Sequence, residues 1–178
     1  TVKCLYGKQE GAVVGYNPKK PGRPSHRDHS ALMANTRLAL TVDVRPGNET
    51  APLHRMPGIW AWLDALPKAA RPALLRGDIA YGSESVLREA EARDQPYLTK
   101  LRLTKHVKAL IKRWFRSNAW EEAGQGWEGV EDTLMLSGWS RARRVVVLRR
   151  TLTGEILMTA TDDEQEWFDF MERDVPTK

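Results

Sequence analysis

The stretch from Ala73 to Leu101 constrains the fold more than any other part of the chain. It opens with a short apolar run, Ala73-Leu74-Leu75-Arg76-Gly77, that ends in Asp78. Gly82-Ser83 follows, and Glu84 to Arg93 then repeats at helical spacing, with Ser83 placed as its N-cap. Tyr97-Leu98-Thr99-Lys100-Leu101 is rich in strand formers. Strand, helix and strand joined by short links predict a βαβ unit, and so an α/β fold with a mainly parallel sheet.

The flanking sequence adds elements of other kinds. Val2 to Leu5 and Leu38 to Val44 read as strands, the second closed by the turn Arg45-Pro46-Gly47-Asn48. Between them, Gly11 to His29 is polar and rich in Gly and Pro, which predicts an extended loop or arm. Ile59, Trp60, Leu63 and Leu66 have helical spacing, and Pro67 should stop that helix. A second helix is predicted over Lys105 to Arg116, with Val107, Leu110, Ile111 and Trp114 on its apolar side and a strongly basic polar side. After Gly124-Gln125-Gly126 the period changes. Trp127 to Leu136, Arg143 to Arg150 and Glu155 to Thr161 predict an antiparallel meander, and Glu164 to Arg173 a short terminal helix. No internal repeat is visible.

Charge narrows the partners. The net charge of +5 favours polyanions, because Lys and Arg displace counterions from phosphate. No apolar run approaches the roughly 18 residues of a membrane helix, so a membrane partner is not expected. The single cysteine, Cys4, cannot make an internal disulfide or a zinc site alone, and it fits a reducing, cytoplasmic setting. Hydrophobic content of 41% with 29% charged residues excludes a disordered chain. No Gly-rich phosphate loop, serine nucleophile elbow or paired-cysteine motif is present.

Several residues could carry chemistry. Asp78 is the leading candidate, since open α/β sheets place ligands at the C-terminal ends of parallel strands. Gly77 and Gly82 would let the backbone approach closely there. Asp43 is a rival acid near the end of its own strand, and a solvent-facing residue explains it equally well. His26-Arg27-Asp28-His29 is too small a set for zinc without distant partners, and reads better as a polar loop touching phosphate. Lys19-Lys20-Pro21-Gly22-Arg23-Pro24 is similar to a minor-groove arm, with Pro21 standing where Arg would be expected. Lys105, Lys108, Lys112, Arg113 and Arg116 could track a DNA backbone. Arg141, Arg143, Arg144, Arg149 and Arg150 supply another basic surface.

Gly15-Tyr16-Asn17-Pro18-Lys19-Lys20-Pro21-Gly22-Arg23-Pro24-Ser25-His26 resembles a stretch of DDE-type bacterial insertion-sequence transposases. Val44-Arg45-Pro46-Gly47-Asn48, Arg76 to Gly82 and Pro96 to Leu101 resemble the same family, in the same order and at similar spacing. The resemblance continues through Gly124 to Gly129 and Gly138-Trp139-Ser140-Arg141-Ala142-Arg143-Arg144. It implies a partial ribonuclease-H-like core over residues 1–117, a β-rich insertion over 118–162 and a return to the core over 163–178. It also implies cut-and-paste DNA transposition, in which two Asp and one Glu hold two Mg²⁺ or Mn²⁺ ions for in-line attack on a phosphodiester. Asp78 matches the second acid and is the implied catalytic and metal-binding residue. The first Asp would fall just before Thr1, and no Glu after the insertion has the family context, Glu164, Glu166 and Glu172 included. Both ends of the chain read as cut.

The resulting expectation is a transposase catalytic-domain fragment, inactive alone, binding no metal tightly and of marginal stability. Its implied partner is DNA at transposon ends, with a homodimer for the full-length enzyme. The implied DNA contacts are Lys19, Lys20, Arg23, Lys105, Lys108, Lys112, Arg141, Arg143 and Arg144. Two alternatives stand beside it: a non-catalytic DNA-binding module that competes with the full-length transposase, and a nuclease on the same fold.

Overall fold

A computed structural model describes residues 2–4, 9–17 and 20–150, without the side chains of 2–4 and 51. By internal packing the chain divides into two compact units, Thr1–Arg102 and Leu103–Lys178. The predicted strand over Glu155 to Thr161 and the predicted helix over Glu164 to Arg173 lie outside the described residues.

The first unit begins with an antiparallel sheet. It contains β1 (Val2–Cys4), β2 (Val13–Val14), β3 (Pro24–Met33) and β4 (Leu38–Pro46). Strand β3 is its centre. It pairs with β1 through Val2↔Arg27, with β2 through Val13↔Ser25, and with β4 from His26↔Pro46 to Met33↔Leu38. The expected loop over Gly11 to His29 is therefore corrected: it holds β2 and the first part of β3. Pro24 is the first residue of its strand, where a missing N–H is tolerated.

The disguise has a physical cause. Ser25, Arg27 and His29 share the inward side of β3, while Leu32, Met33, Leu38, Leu40, Val42 and Val44 are exposed. The usual alternation of apolar inside and polar outside is inverted, so it gave no strand signal. Polar contacts hold this layer. Arg27 donates to the carbonyls of Glu49 and Tyr16 at 3.2 and 3.1 Å. His29 is 5% exposed, and its Nε2 has no hydrogen-bond partner among the described residues. Burial, reinforced by the positive charge of Arg27 and His54, lowers its pKa, and Asp43 across the strand pair opposes the shift.

The predicted βαβ unit is present, but the mainly parallel sheet expected with it is corrected: among the described residues β5 and β6 form a separate two-stranded parallel sheet, and the other sheets are antiparallel. Strand β5 (Leu75–Gly77) pairs in parallel with β6 (Tyr97–Thr99), and α2 (Glu84–Ala92) connects them. Helix α2 buries Val86, Leu87 and Ala90. It ends with Asp94 in the left-handed region at φ 51°, while the N–H groups of Asp94 and Gln95 reach the carbonyls of Glu91 and Ala90. That pattern is a Schellman stop, which turns the chain back toward β6. Gln95 is buried there and donates to the carbonyls of Pro72 and Pro96.

Helix α1 (Ala51–Ala65) starts earlier than its apolar spacing indicated. Pro52 near its N-terminus needs no donor, but Pro57 lies inside the helix, where it removes a hydrogen bond at a cost of about 3 kcal/mol. Packing overrides it. Met56, Trp60 and Leu63 recur at four- and three-residue steps and form a core with Val86 and Ala90 of α2. Leu75, Tyr81 and Tyr97 pack against that core from the parallel strands and the turn after β5. Arg93 adds a clasp, binding Asp64 at 2.9 Å and lying over the Trp60 ring at 5.1 Å.

The second unit holds α3 (Lys105–Phe115), β7 (Glu121–Gly124), β8 (Trp127–Leu134) and β9 (Arg143–Arg149). The strands form an antiparallel meander in the order β7-β8-β9. Sequence spacing had missed β7, whose side chains are all exposed. Its hairpin to β8 turns through Gln125 and Gly126 at φ 52° and 76°, the paired positive φ of a tight hairpin turn. Thr104 caps α3 by accepting from the Val107 N–H, and Val107 and Leu110 are buried.

Two outcomes follow from this packing. Leu63 is wholly buried, so Leu63→Ala should cost about 2–5 kcal/mol, read as a lower urea midpoint. His29 folds neutral with a lowered pKa, so the unfolded chain takes up its proton first, near pH 6.5. Its contribution is complete above that pH and is lost as pH falls toward the lower folded value. Urea midpoints should drop between pH 7.5 and 5.5, and His29→Gln should shrink the drop. An equal drop in the variant would exclude His29 as its source.

Candidate active site and nucleic-acid surfaces

Asp78 lies at the C-terminal end of parallel strand β5, as the sequence indicated. It caps the 3-10 turn Ile79–Tyr81: its Oδ1 accepts from the Ala80 N–H at 2.9 Å, and its carbonyl accepts from the Tyr81 N–H at 3.1 Å. The side chain is exposed. One carboxylate oxygen is thus held by the backbone, and Oδ2 has no hydrogen bond among the described residues. A hard cation prefers such an anionic oxygen.

The glycines around Asp78 have specific reasons. A Cβ on Gly77 would lie 2.7 Å from Tyr81 Cβ and 3.1 Å from its Cγ. A Cβ on Gly82 would lie 2.9 Å from the Lys100 carbonyl, just past β6. The Gly77-Asp78-Ile79-Ala80-Tyr81-Gly82 run is therefore a tight turn pressed between its own tyrosine and the neighbouring strand end. Burial raises the Tyr81 pKa, the Asp78 charge raises it further, and Arg55 opposes both. The phenol stays protonated at neutral pH, within electrostatic reach of an acid and a buried cation.

Asp43 has a different fate from Asp78. It is not simply solvent-facing: Arg55 of α1, 8% exposed, donates to its Oδ2 at 2.5 Å. A buried guanidinium needs a counter-ion, and Asp43 supplies it. Residues His26 to His29 do not form a metal cluster. His26 Nε2 meets the Glu10 carbonyl at 3.0 Å, and successive residues of a strand point to opposite sides, so His26 and His29, three apart on β3, face away from each other. Among the described residues no group of three or more His, Cys, Asp or Glu could hold a metal ion. Asp78 fits a divalent ion as one oxygen ligand, and those residues do not complete a two-ion site around it.

The basic residues separate into different kinds. Lys19 lies outside the described residues. Lys20 and Arg23 are exposed on a turn between β2 and β3, with the Arg23 N–H on the Lys20 carbonyl and Gly22 at φ 77°. A compact turn, not an extended arm, presents them. On α3, Lys105, Lys108, Lys112 and Arg116 form one stripe, opposite the inward-facing Val107, Leu110 and Trp114. No acidic residue interrupts that helix.

The β9 arginines are occupied internally. Arg143 is 6% exposed and lies over the Trp139 ring at 4.9 Å. Arg144 pairs with Glu131, which lowers the Glu131 pKa. Arg149 pairs with Glu128 and lies over Trp120 at 4.1 Å. Arg113 turns to Asp132, which also accepts from the Trp114 indole. Arg141 is exposed before β9. Sequence reading did not single out Tyr81 or Arg55. The Gly77–Tyr81 spacing was a usable signal for the first, whereas nothing local marks Arg55.

No helix of the described residues is long and apolar enough to cross a membrane. No curated protein and no solved structure matches the chain. A family model described as the transposase DDE domain matches residues 4–163. That family is one of DNA cutting and joining, and its members generally use divalent metal ions. The match spans both units, and with the acid at the end of β5 it identifies the chain as a member of the transposase DDE domain family.

Proposed function

We propose that this chain is part of the catalytic domain of a DDE-type transposase, with Asp78 as one metal-binding acid of the phosphoryl-transfer site. The observation that carries the reading is the position of Asp78: exposed, at the C-terminal end of a parallel strand, with one oxygen fixed by the Ala80 N–H. An antiparallel sheet followed by a parallel βαβ pair supports a partial ribonuclease-H-like core over 1–117. The β7–β9 meander supports a β-rich insertion over 118–162, and 163–178 is assigned to the return to the core. Mg²⁺ or Mn²⁺ would supply Lewis acidity and an activated water or 3′-hydroxyl when bound. Asp78 would hold and orient such an ion. The Ala80 N–H would keep the carboxylate from swinging.

DNA is the proposed substrate. Lys105, Lys108 and Lys112 would follow the phosphate backbone along the basic stripe of α3, with Arg141, Lys20 and Arg23 adding contacts. Lys19 belongs to the same proposed set. Arg143 and Arg144, with their internal partners, would serve mainly to hold the meander. The basic stripe on α3, a helix with no acid in its own sequence, also favours the second reading, a DNA-binding module without catalysis. One carboxylate cannot clamp two ions, so the chain by itself is proposed to be inactive and to hold metal weakly.

Two measurements test this. The purified chain should not nick DNA with Mg²⁺ or Mn²⁺; metal-dependent nicking abolished by Asp78→Asn would show that the site is complete. DNA retention should fall steeply with salt. Replacing Lys105, Lys108 and Lys112 together by Ala should reduce the slope of log K against log salt by about 2–3. An unchanged slope would remove α3 from the DNA surface.

A further inference from the structure

We infer that Tyr81 is the positioning residue of Asp78: its ring, seated over Gly77 and against the α1 core, fixes the turn that aims the carboxylate. The inference rests on the reading of Asp78 as a metal-binding acid, and deepens it.

Three observations converge on the ring. The Tyr81 side chain lies so close to Gly77 that no side chain fits there: a Cβ would stand 2.7 Å from Tyr81 Cβ, and 3.1 and 3.2 Å from the ring atoms Cγ and Cδ2. Tyr81 also packs against the cluster of Met56, Trp60 and Leu63, and α1 lies against the Ile79–Tyr81 turn. The turn itself is closed by two hydrogen bonds to Asp78, the Tyr81 N–H on its carbonyl and the Ala80 N–H on its Oδ1.

The geometry makes these one device. The exposed Asp78 side chain has little packing of its own to fix its rotamer. A single turn of 3-10 helix is also weak in isolation, since its hydrogen bonds are strained. What is rigid nearby is the core of α1 and α2, and Tyr81 is the part of the turn packed against it. The ring therefore transmits the fixed position of α1 to Gly77 and to the Ala80 N–H, and so to Oδ1. Groups that orient a metal ligand are worth roughly 10–100-fold in metal affinity. Core packing alone would require only bulk at position 81. Positioning requires a flat ring whose Cγ and Cδ2 lie along Gly77, where a branched side chain would present tetrahedral carbons.

The test compares variants of the whole chain by two-dimensional amide NMR. Asp78→Asn defines where the Ala80 amide proton resonates once its carboxylate acceptor is gone. Tyr81→Phe should keep the wild-type Ala80 signal, and Tyr81→Leu should move it toward the Asp78→Asn position. Mn²⁺ alone should broaden the amides of residues 78–80 in wild type and Tyr81→Phe. Tyr81→Leu should need about tenfold more Mn²⁺ for the same effect. Gly77→Ala, which keeps Tyr81 but displaces its ring, should behave like Tyr81→Leu, so the outcome does not depend on either variant folding well. A folded Tyr81→Leu or Gly77→Ala with the wild-type Ala80 signal would overturn the inference. If the Ala80 signal follows the ring but Mn²⁺ broadens nothing even in wild type, the metal reading of Asp78 fails and the positioning role stands.

Discussion

Burial of the facing sides of α1 and α2 is the interaction on which the first unit depends. Met56, Trp60 and Leu63 from one helix meet Val86 and Ala90 from the other, with Leu75, Tyr81 and Tyr97 closing the cluster. Each fully buried side chain of this size is worth roughly 1.5–3 kcal/mol. That sum outweighs a proline inside α1 and holds a parallel pair of only three residues per strand. Asp78 inherits its place from this core, because the strand it ends and the turn it caps are both anchored there.

Electrostatics is organised differently in the two units. Polar groups line the inner side of the antiparallel sheet in the first unit, and Arg55 is kept there by Asp43. In the second unit most of the strand arginines are neutralised across the meander or stacked on indole rings, while α3 keeps a cationic stripe with no acid in its own sequence. A count of arginines would rank β9 as the stronger DNA surface. Pairing lowers that rank on the proposed reading, since an arginine already bound to a carboxylate releases fewer counterions when it meets phosphate.

Much of this was legible in the chain. The βαβ unit, the basic amphipathic helix and the strands β8 and β9 all follow from periodicity, because each has one buried side that repeats at the period of its element. Asp78 was legible because it ends an apolar run and is flanked by two glycines. Strand β3 was hidden because its buried side carries Ser25, Arg27 and His29. Strand β7 was hidden because it buries nothing. The first turns of α1 were hidden by Pro52 and Pro57, whose local preference is against a helix.

The sequence by itself determined the class of elements, the acid at the end of β5, the excess of positive charge and the family resemblance. These are properties of local order along the chain, set by side-chain period, turn residues and composition. Only tertiary structure decided which charges are spent. Arg55 joins Asp43 across twelve residues, Arg144 joins Glu131 across thirteen, and the Tyr81 ring closes over Gly77 only because α1 packs from elsewhere in the chain. Such partners are chosen by proximity in space, and no short stretch of sequence encodes that proximity.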